Sequence, residues 1–165
     1  MAILGLDIGG ANLKAAHTDG SARTVAFPLW KHPDRLSGEL AKLCATMPPH
    51  DCLAVTMTGE LCDCFETKRQ GVAAILDAVE AVDGTARVHV WRSDGQFADL
   101  ATARATPLQV AAANWLALAT FAGRFAPSGP ALLIDIGSTT TDMKSNRSPA
   151  ITSRHGRPPS RRTAW

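Results

Sequence analysis

No apolar run in these 165 residues approaches the roughly 20 that a membrane-spanning helix needs. No basic stretch precedes the first apolar segment, so the amino terminus does not read as a secretory leader. The cysteines, Cys44, Cys52, Cys62 and Cys64, lack the C-x2–4-C pairing typical of zinc ligands. In a chain without an export signal they are expected as reduced thiols in the cytoplasm. The histidines are scattered and suggest no ligand set. There is no G-x-G-x-x-G, which argues against a dinucleotide site. Acidic residues are missing altogether beyond Asp142, where Lys144, Arg147, Arg154, Arg157, Arg161 and Arg162 lie. The formal charge of +2 therefore hides an acidic body. Residues 1–142 carry 11 basic residues (17 less the six of the tail) against 15 acidic ones, a net of −4. A nucleic-acid partner would rest on the tail alone, and neither nucleic acid nor membrane is expected as a partner.

What is present supports a packed core. Hydrophobic residues make up 45% of the chain and charged residues 19%, and the length fits one domain or one lobe plus the start of another. Residues 2–8 read as a buried strand, punctuated by Gly9-Gly10. Residues 12–18 and 23–27 read as two more, separated by the Asp19-Gly20 turn. Together they predict an antiparallel meander. Leu36, Leu40, Leu43 and Met47 recur at helical spacing until Pro48-Pro49. Residues 53–58 predict a strand, and Thr67 caps a helix with Val72, Ile75, Leu76, Val79 and Val82 on its buried stripe. Another strand is expected over 87–91. Thr106-Pro107 predicts the start of a helix running to Gly123, apolar on nearly every side and hence buried between layers. Residues 130–136 read as a strong strand. Beyond Asp142 periodicity disappears, and a disordered tail is expected over 143–165.

One motif occurs twice. Leu6-Asp7-Ile8-Gly9-Gly10-Ala11-Asn12 matches Ile134-Asp135-Ile136-Gly137-Ser138-Thr139-Thr140. In each, a hydrophobic strand leads into Asp-Ile-Gly and then small or polar residues. Glycine permits positive φ and close approach of a ligand to the backbone, and successive amides in such a turn form an anion-binding nest. The hydroxyls of Ser138, Thr139 and Thr140 add donors. An aspartate at the strand end suits a water-clad magnesium ion, which needs only one or two carboxylates. The bland alternative is two glycine-centred hairpins, and the repetition favours phosphate binding.

Further candidates sit nearby. Glu60 follows a strand end and is a candidate general base, or else a solvated loop carboxylate. Asp63 shares its loop. Lys14 has the parity of Asn12 and either neutralises phosphate or guards a sheet edge. Asn114 lies next to Trp115 in the apolar helix and contacts either a ligand or neighbouring backbone.

The duplicated Asp-x-Gly loops resemble those of the sugar kinase/Hsp70/actin superfamily. That resemblance implies an α/β, ribonuclease-H-like lobe over 1–129, with the second lobe beginning at 130–142. Asp135-Ile136-Gly137-Ser138-Thr139-Thr140-Thr141-Asp142 is similar to the hydantoinase/oxoprolinase-like branch. Gly5-Leu6-Asp7-Ile8-Gly9-Gly10-Ala11-Asn12-Leu13-Lys14, Met57-Thr58-Gly59-Glu60-Leu61, Asp63-Cys64-Phe65 and Ala113-Asn114-Trp115 resemble its group linked to tetrahydromethanopterin one-carbon transfer and methanofuran biosynthesis.

The resemblance implies a transferase that joins a diphosphate-activated aminomethylfuran to an acceptor. Asp7, Glu60 and Asp135 would be catalytic, with Asp7 and Asp135 holding Mg2+ through water. Gly9, Gly10, Asn12, Lys14, Gly137, Ser138, Thr139 and Thr140 would bind phosphate, and Asp63 and Asn114 would contact ligand. The alternative is an ATP-dependent small-molecule kinase or amidohydrolase on the same loops. Such proteins continue for about as long again. The chain is accordingly expected to be a truncated form with an out-of-frame tail, inactive alone and prone to self-association through strand 130–136.

Overall fold

The computed structural model describes residues 1–82, 87–126, 128–136 and 141–145. The chain divides into two compact units, Met1–Thr120 and Phe121–Trp165.

The first unit is built on a six-stranded mixed sheet. Strands β1 (Ile3–Ile8), β2 (Asn12–His17) and β3 (Ala22–Ala26) form the expected antiparallel meander. On its other side β1 runs parallel to β4 (Cys52–Met57), which runs parallel to β5 (Arg87–Trp91). A short β6 (Phe97–Ala98) closes the far edge antiparallel to β5. The spatial order is β3-β2-β1-β4-β5-β6.

Strand alternation decides which side chains are buried. Leu4, Leu6 and Ile8 of β1, Leu13 and Ala15 of β2, Leu53, Val55 and Met57 of β4, and Val88 and Val90 of β5 enter one core. Helix α1 (Leu36–Ala45) adds Leu36, Leu40 and Leu43 at the spacing of one helix face. Helix α2 (Lys68–Val82) adds Val72, Ile75, Leu76 and Val79. Burying one such aliphatic side chain contributes about 1.5–3 kcal/mol. The opposite face of the sheet carries Gly5, Asp7, Lys14, Ala54, Thr56 and Trp91 by the same alternation.

The segment after β6 departs from expectation. Asp99 caps a helix α3 (Leu100–Ala105), accepting a hydrogen bond from the Thr102 amide at 2.7 Å. The single long helix expected over 106–123 is instead two, α4 (Pro107–Val110) and α5 (Asn114–Ala122). At the break Ala112 takes φ of 48°, a left-handed conformation that costs a non-glycine residue about 1–2 kcal/mol. Nor is α5 buried all round: Leu116 is buried, whereas Leu118 is exposed. Among the described residues no helix is long and apolar enough to cross a membrane.

In the second unit β7 (Leu132–Ile136) and β8 (Thr141–Ser145) form an antiparallel hairpin. Strand β8 extends three residues past the point where periodicity in the sequence ends. The rest of the tail lies outside the described residues.

Candidate functional site

Asp7 lies on β1 between Lys14 of β2 and Thr56 of β4, its partners in register on either side. The Lys14 ammonium donates to Asp7 Oδ2 at 3.0 Å. Lys14 is more than half exposed, so this pair contributes at most about 1 kcal/mol to stability. Its value is electrostatic: the carboxylate is held beside a cation. Asp7 Oδ1 and Thr56 Oγ1 are shielded from solvent and have no hydrogen-bond partner.

The loop that follows turns β1 into β2. The Gly9 amide donates to the Asn12 carbonyl at 3.0 Å. The Gly10 and Ala11 carbonyls accept from Leu29 and Phe27, each at 2.9 Å. The Gly10 and Ala11 amides donate to no described residue. The expected positive φ is not found. Among the described glycines only Gly20, Gly95 and Gly129 have it. Gly10 instead lies close against Cys62: a Cβ there would be 2.7 Å from Cys62 Sγ, and the thiol would have to rotate away.

Cys62 arrives on the segment after β4. The Thr58 amide donates to the Ile8 carbonyl at 3.0 Å, carrying the β1–β4 ladder one step further. Gly59 then passes beneath the loop, where a Cβ would meet Leu29 at 2.7 Å and the Ile8 carbonyl oxygen at 3.2 Å. The tight turn Gly59–Leu61 delivers Glu60 against α2 at Gly71. Burial raises the Cys62 thiol, reinforced by Cys64, Glu60 and Asp63, which disfavours its thiolate.

Glu60 is not a solvated loop carboxylate. It is 1% exposed, and neither carboxylate oxygen has a hydrogen-bond partner. Loss of solvation raises its pKa above the ordinary carboxylate value. The amides of Glu60 itself and of Ala112, then the charge of Lys68, pull the other way without closing a hydrogen bond. The native state therefore binds this proton more tightly than the unfolded chain does. Stability is greatest below the unfolded pKa and falls as pH rises through the folded one. Glu60→Gln is expected to raise the melting temperature at about pH 8 and to leave it nearly unchanged near about pH 4. A thermal-melt series against pH checks this, and a constant offset at every pH would refute it.

Asp63 is exposed at the margin of the same loop, and half-buried Asn114 opens α5 rather than lying inside a continuous helix. Asp135 is exposed on β7, opposite Asp142 in register. It belongs to the second unit, and Gly137, Ser138, Thr139 and Thr140 lie outside the described residues. The structure thus groups Asp7, Gly9, Gly10, Asn12 and Lys14 at one end of β1, with Gly59 and Cys62 directly beneath. Thr56, in the same row as Asp7, was overlooked in the sequence. Only its register against β1 reveals it.

Residues 51–155 match the family of hydantoinase/oxoprolinase proteins. The chain belongs to that family. The hydantoinase/oxoprolinase match takes in Glu60, Asp63, Asn114 and the second glycine loop, while Asp7 and its loop precede it. A curated relative from Methanocaldococcus jannaschii, the (4-{4-[2-(gamma-L-glutamylamino)ethyl]phenoxymethyl}furan-2-yl)methanamine synthase, is 39% identical over 144 residues. The alignment covers 86% of this chain and 42% of that protein, so the chain spans less than half the relative's length.

Proposed function

We propose that this hydantoinase/oxoprolinase-family chain serves a transferase of methanofuran-type cofactor biosynthesis. It would join a diphosphate-activated aminomethylfuran to a hydroxyl-bearing acceptor. The relative's name, a phenoxymethyl ether of a furan methanamine, supports the reaction class. The observation that carries the reading is the Asp7–Lys14 pair beside two free amides at the end of β1. As the acceptor oxygen bonds to the methylene carbon, its proton passes to the Asp7 carboxylate. The carbon–oxygen bond to the diphosphate breaks, and its electron pair leaves with pyrophosphate. The loop amides and Lys14 stabilise the charge gathering there. Glu60, sealed from solvent, is given no proton-transfer role.

Magnesium, when bound, neutralises diphosphate charge. Asp7, bonded to Lys14 at Oδ2 but without a partner at Oδ1, is proposed to hold it through water. The exposed Asp135 carboxylate suits a water-clad ion. The first unit, with its meander followed by parallel strands, is proposed as the ribonuclease-H-like lobe. Extended to the relative's full length, the protein should release pyrophosphate on incubation with the aminomethylfuran diphosphate and γ-glutamyltyramine. A second reading, an ATP-dependent kinase or amidohydrolase, draws on the family itself. It would displace the first if ATP, and not the diphosphate, raised the melting temperature.

Self-association is proposed through the hairpin of the second unit. Leu132, Ile134 and Met143 are all at least half exposed, and Ile134 pairs with Met143. An apolar strand surface of this kind invites pairing with a second copy. Size-exclusion chromatography should show concentration-dependent growth in apparent mass, reduced by Ile134→Lys. A monomer at every concentration would contradict it.

A further inference from the structure

Strand β3 lies at the margin of the six-stranded sheet, and all five of its residues are exposed. At the two ends of the β2–β3 ladder the His17 amide donates to the Ser21 carbonyl at 2.8 Å and the Phe27 amide to the Ala11 carbonyl at 2.9 Å. Bonded and non-bonded pairs alternate along an antiparallel ladder, so between these ends Arg23 and Val25 bond to β2. The N–H and C=O groups of Ala22, Thr24 and Ala26 then point away from the sheet. Such a row is open to pairing with a further strand.

A cleft runs along this edge. Arg23 and Val25 sit opposite Ala15 and Leu13, which are buried in the core, so their side chains share the face that the helices cover. Helix α1 packs over β2, and between it and β3 lies a cleft of about 470 Å³. Val25 and the buried Leu43 of α1 give it an apolar lining. Ala22 and Thr24 also border it. By alternation their side chains turn to the other face, so what they offer is main chain. Arg23 and Lys42 bring positive charge to the lining. The Arg23 side chain has no ion-pair or hydrogen-bond partner among the described residues. Glu39, which also lines the cleft, accepts from both Arg35 and Lys42 at 2.9 Å. Three cations therefore surround one carboxylate.

We propose that β3 and this cleft bind an extended peptide segment of another protein, which adds a strand to the sheet edge and sets an aspartate or glutamate side chain between Arg23 and Lys42. Main-chain pairing supplies affinity in this mode, and the cleft reads the side chain. A partner residue opposite Arg23 or Val25 has its side chain on the cleft's face. Charge selects the occupant. A second copy of the chain would bring its own Arg23 and Lys42 to the same edge. The chain's own residues beyond 145 contain no acidic side chain.

The probe is a blocked pentapeptide, valine–threonine–glutamate–threonine–valine, whose valines share a face with the glutamate. It is compared with the same peptide carrying glutamine, by NMR of the isotope-labelled chain. The amides of Ala22, Thr24 and Ala26 should shift. The glutamate peptide should bind about fivefold more tightly, the equivalent of one exposed ion pair of about 1 kcal/mol. Arg23→Gln should bring that ratio close to one. Thr24→Pro removes an outward N–H and leaves the bonds to β2 in place, so it should weaken both peptides. Should that variant fail to fold, N-methylation of alternate amides in the peptide blocks the same pairing. Binding of neither peptide at millimolar concentration, equal binding of the two, or undiminished binding of the N-methylated peptides would overturn the proposal. So would the same shifts produced by free glutamate or inorganic phosphate, which would mean an anion site without strand addition. Shifts at Thr24 that grow with protein concentration alone would assign the edge to a second copy instead.

Discussion

Replacing Gly71 by alanine is expected to destabilise the first unit by about 2 kcal/mol, although alanine is the better helix former by about 1 kcal/mol. Gly71 lies in the first turns of α2, where the helix crosses the tight turn carrying Glu60. A Cβ there would sit 2.7 Å from Glu60 Cα, 2.8 Å from its carbonyl oxygen and 2.9 Å from its Cβ. Backbone cannot rotate away as a side-chain tip can. The helix must back off, drawing Val72, Ile75 and Leu76 from a core in which all three are fully buried. Chemical denaturation against the unsubstituted chain measures the loss. Gly38→Ala on α1, where a Cβ meets nothing within 4 Å, serves as the control and should be neutral or stabilising. An equally stable Gly71→Ala chain would show that the turn does not bear on the helix as described.

In a chain extended to the relative's full length, Asp7→Asn is expected to lower pyrophosphate release by about 10²–10⁴-fold, the usual contribution of a positioned acid or base. The same change should shift stability by no more than about 1 kcal/mol, since the Lys14 pair it breaks is largely exposed. Asparagine keeps the size of the side chain and can still accept at one atom, but it cannot take the acceptor's proton. Initial rates measured together with melting temperatures separate the two effects. A variant with unchanged turnover would remove Asp7 from the chemistry.

The strands and the buried helix stripes were legible because their periods are strong. Leu4, Leu6 and Ile8 alternate, and Leu36, Leu40 and Leu43 recur at helical spacing. The break at Ala112 was not. Three consecutive alanines, Ala111 to Ala113, read as helix by propensity, yet the backbone leaves the helix there at a positive φ no alanine prefers. Tertiary packing overrode the local preference. Helix α3 was missed although Asp99 is a good cap, because Leu100–Ala105 is too short to display a period. At the site, Asp7 and its glycines were visible as a motif. The close approach of Gly10 to Cys62 was not, since Cys62 lies 52 positions away in sequence. Burial of Glu60 was equally hidden, because a glutamate after Thr58-Gly59 has every local mark of an exposed turn.

The pairing of β1 with both β2 and β4 sets an order of assembly. The partners of β1 in β2 are at most 13 positions away, Leu4 with His17, whereas those in β4 are 49 positions away throughout, as in Ile3 with Cys52. Closing the longer loop costs more chain entropy before any contact rewards it. A chain emerging from the ribosome would therefore hold the β1–β3 meander early and wait for β4. Until then Leu4, Leu6 and Ile8 would lack the cover of α2, which follows β4 in the chain. In that interval the amino-terminal ladder is a natural client for a chaperone that reads short aliphatic stretches.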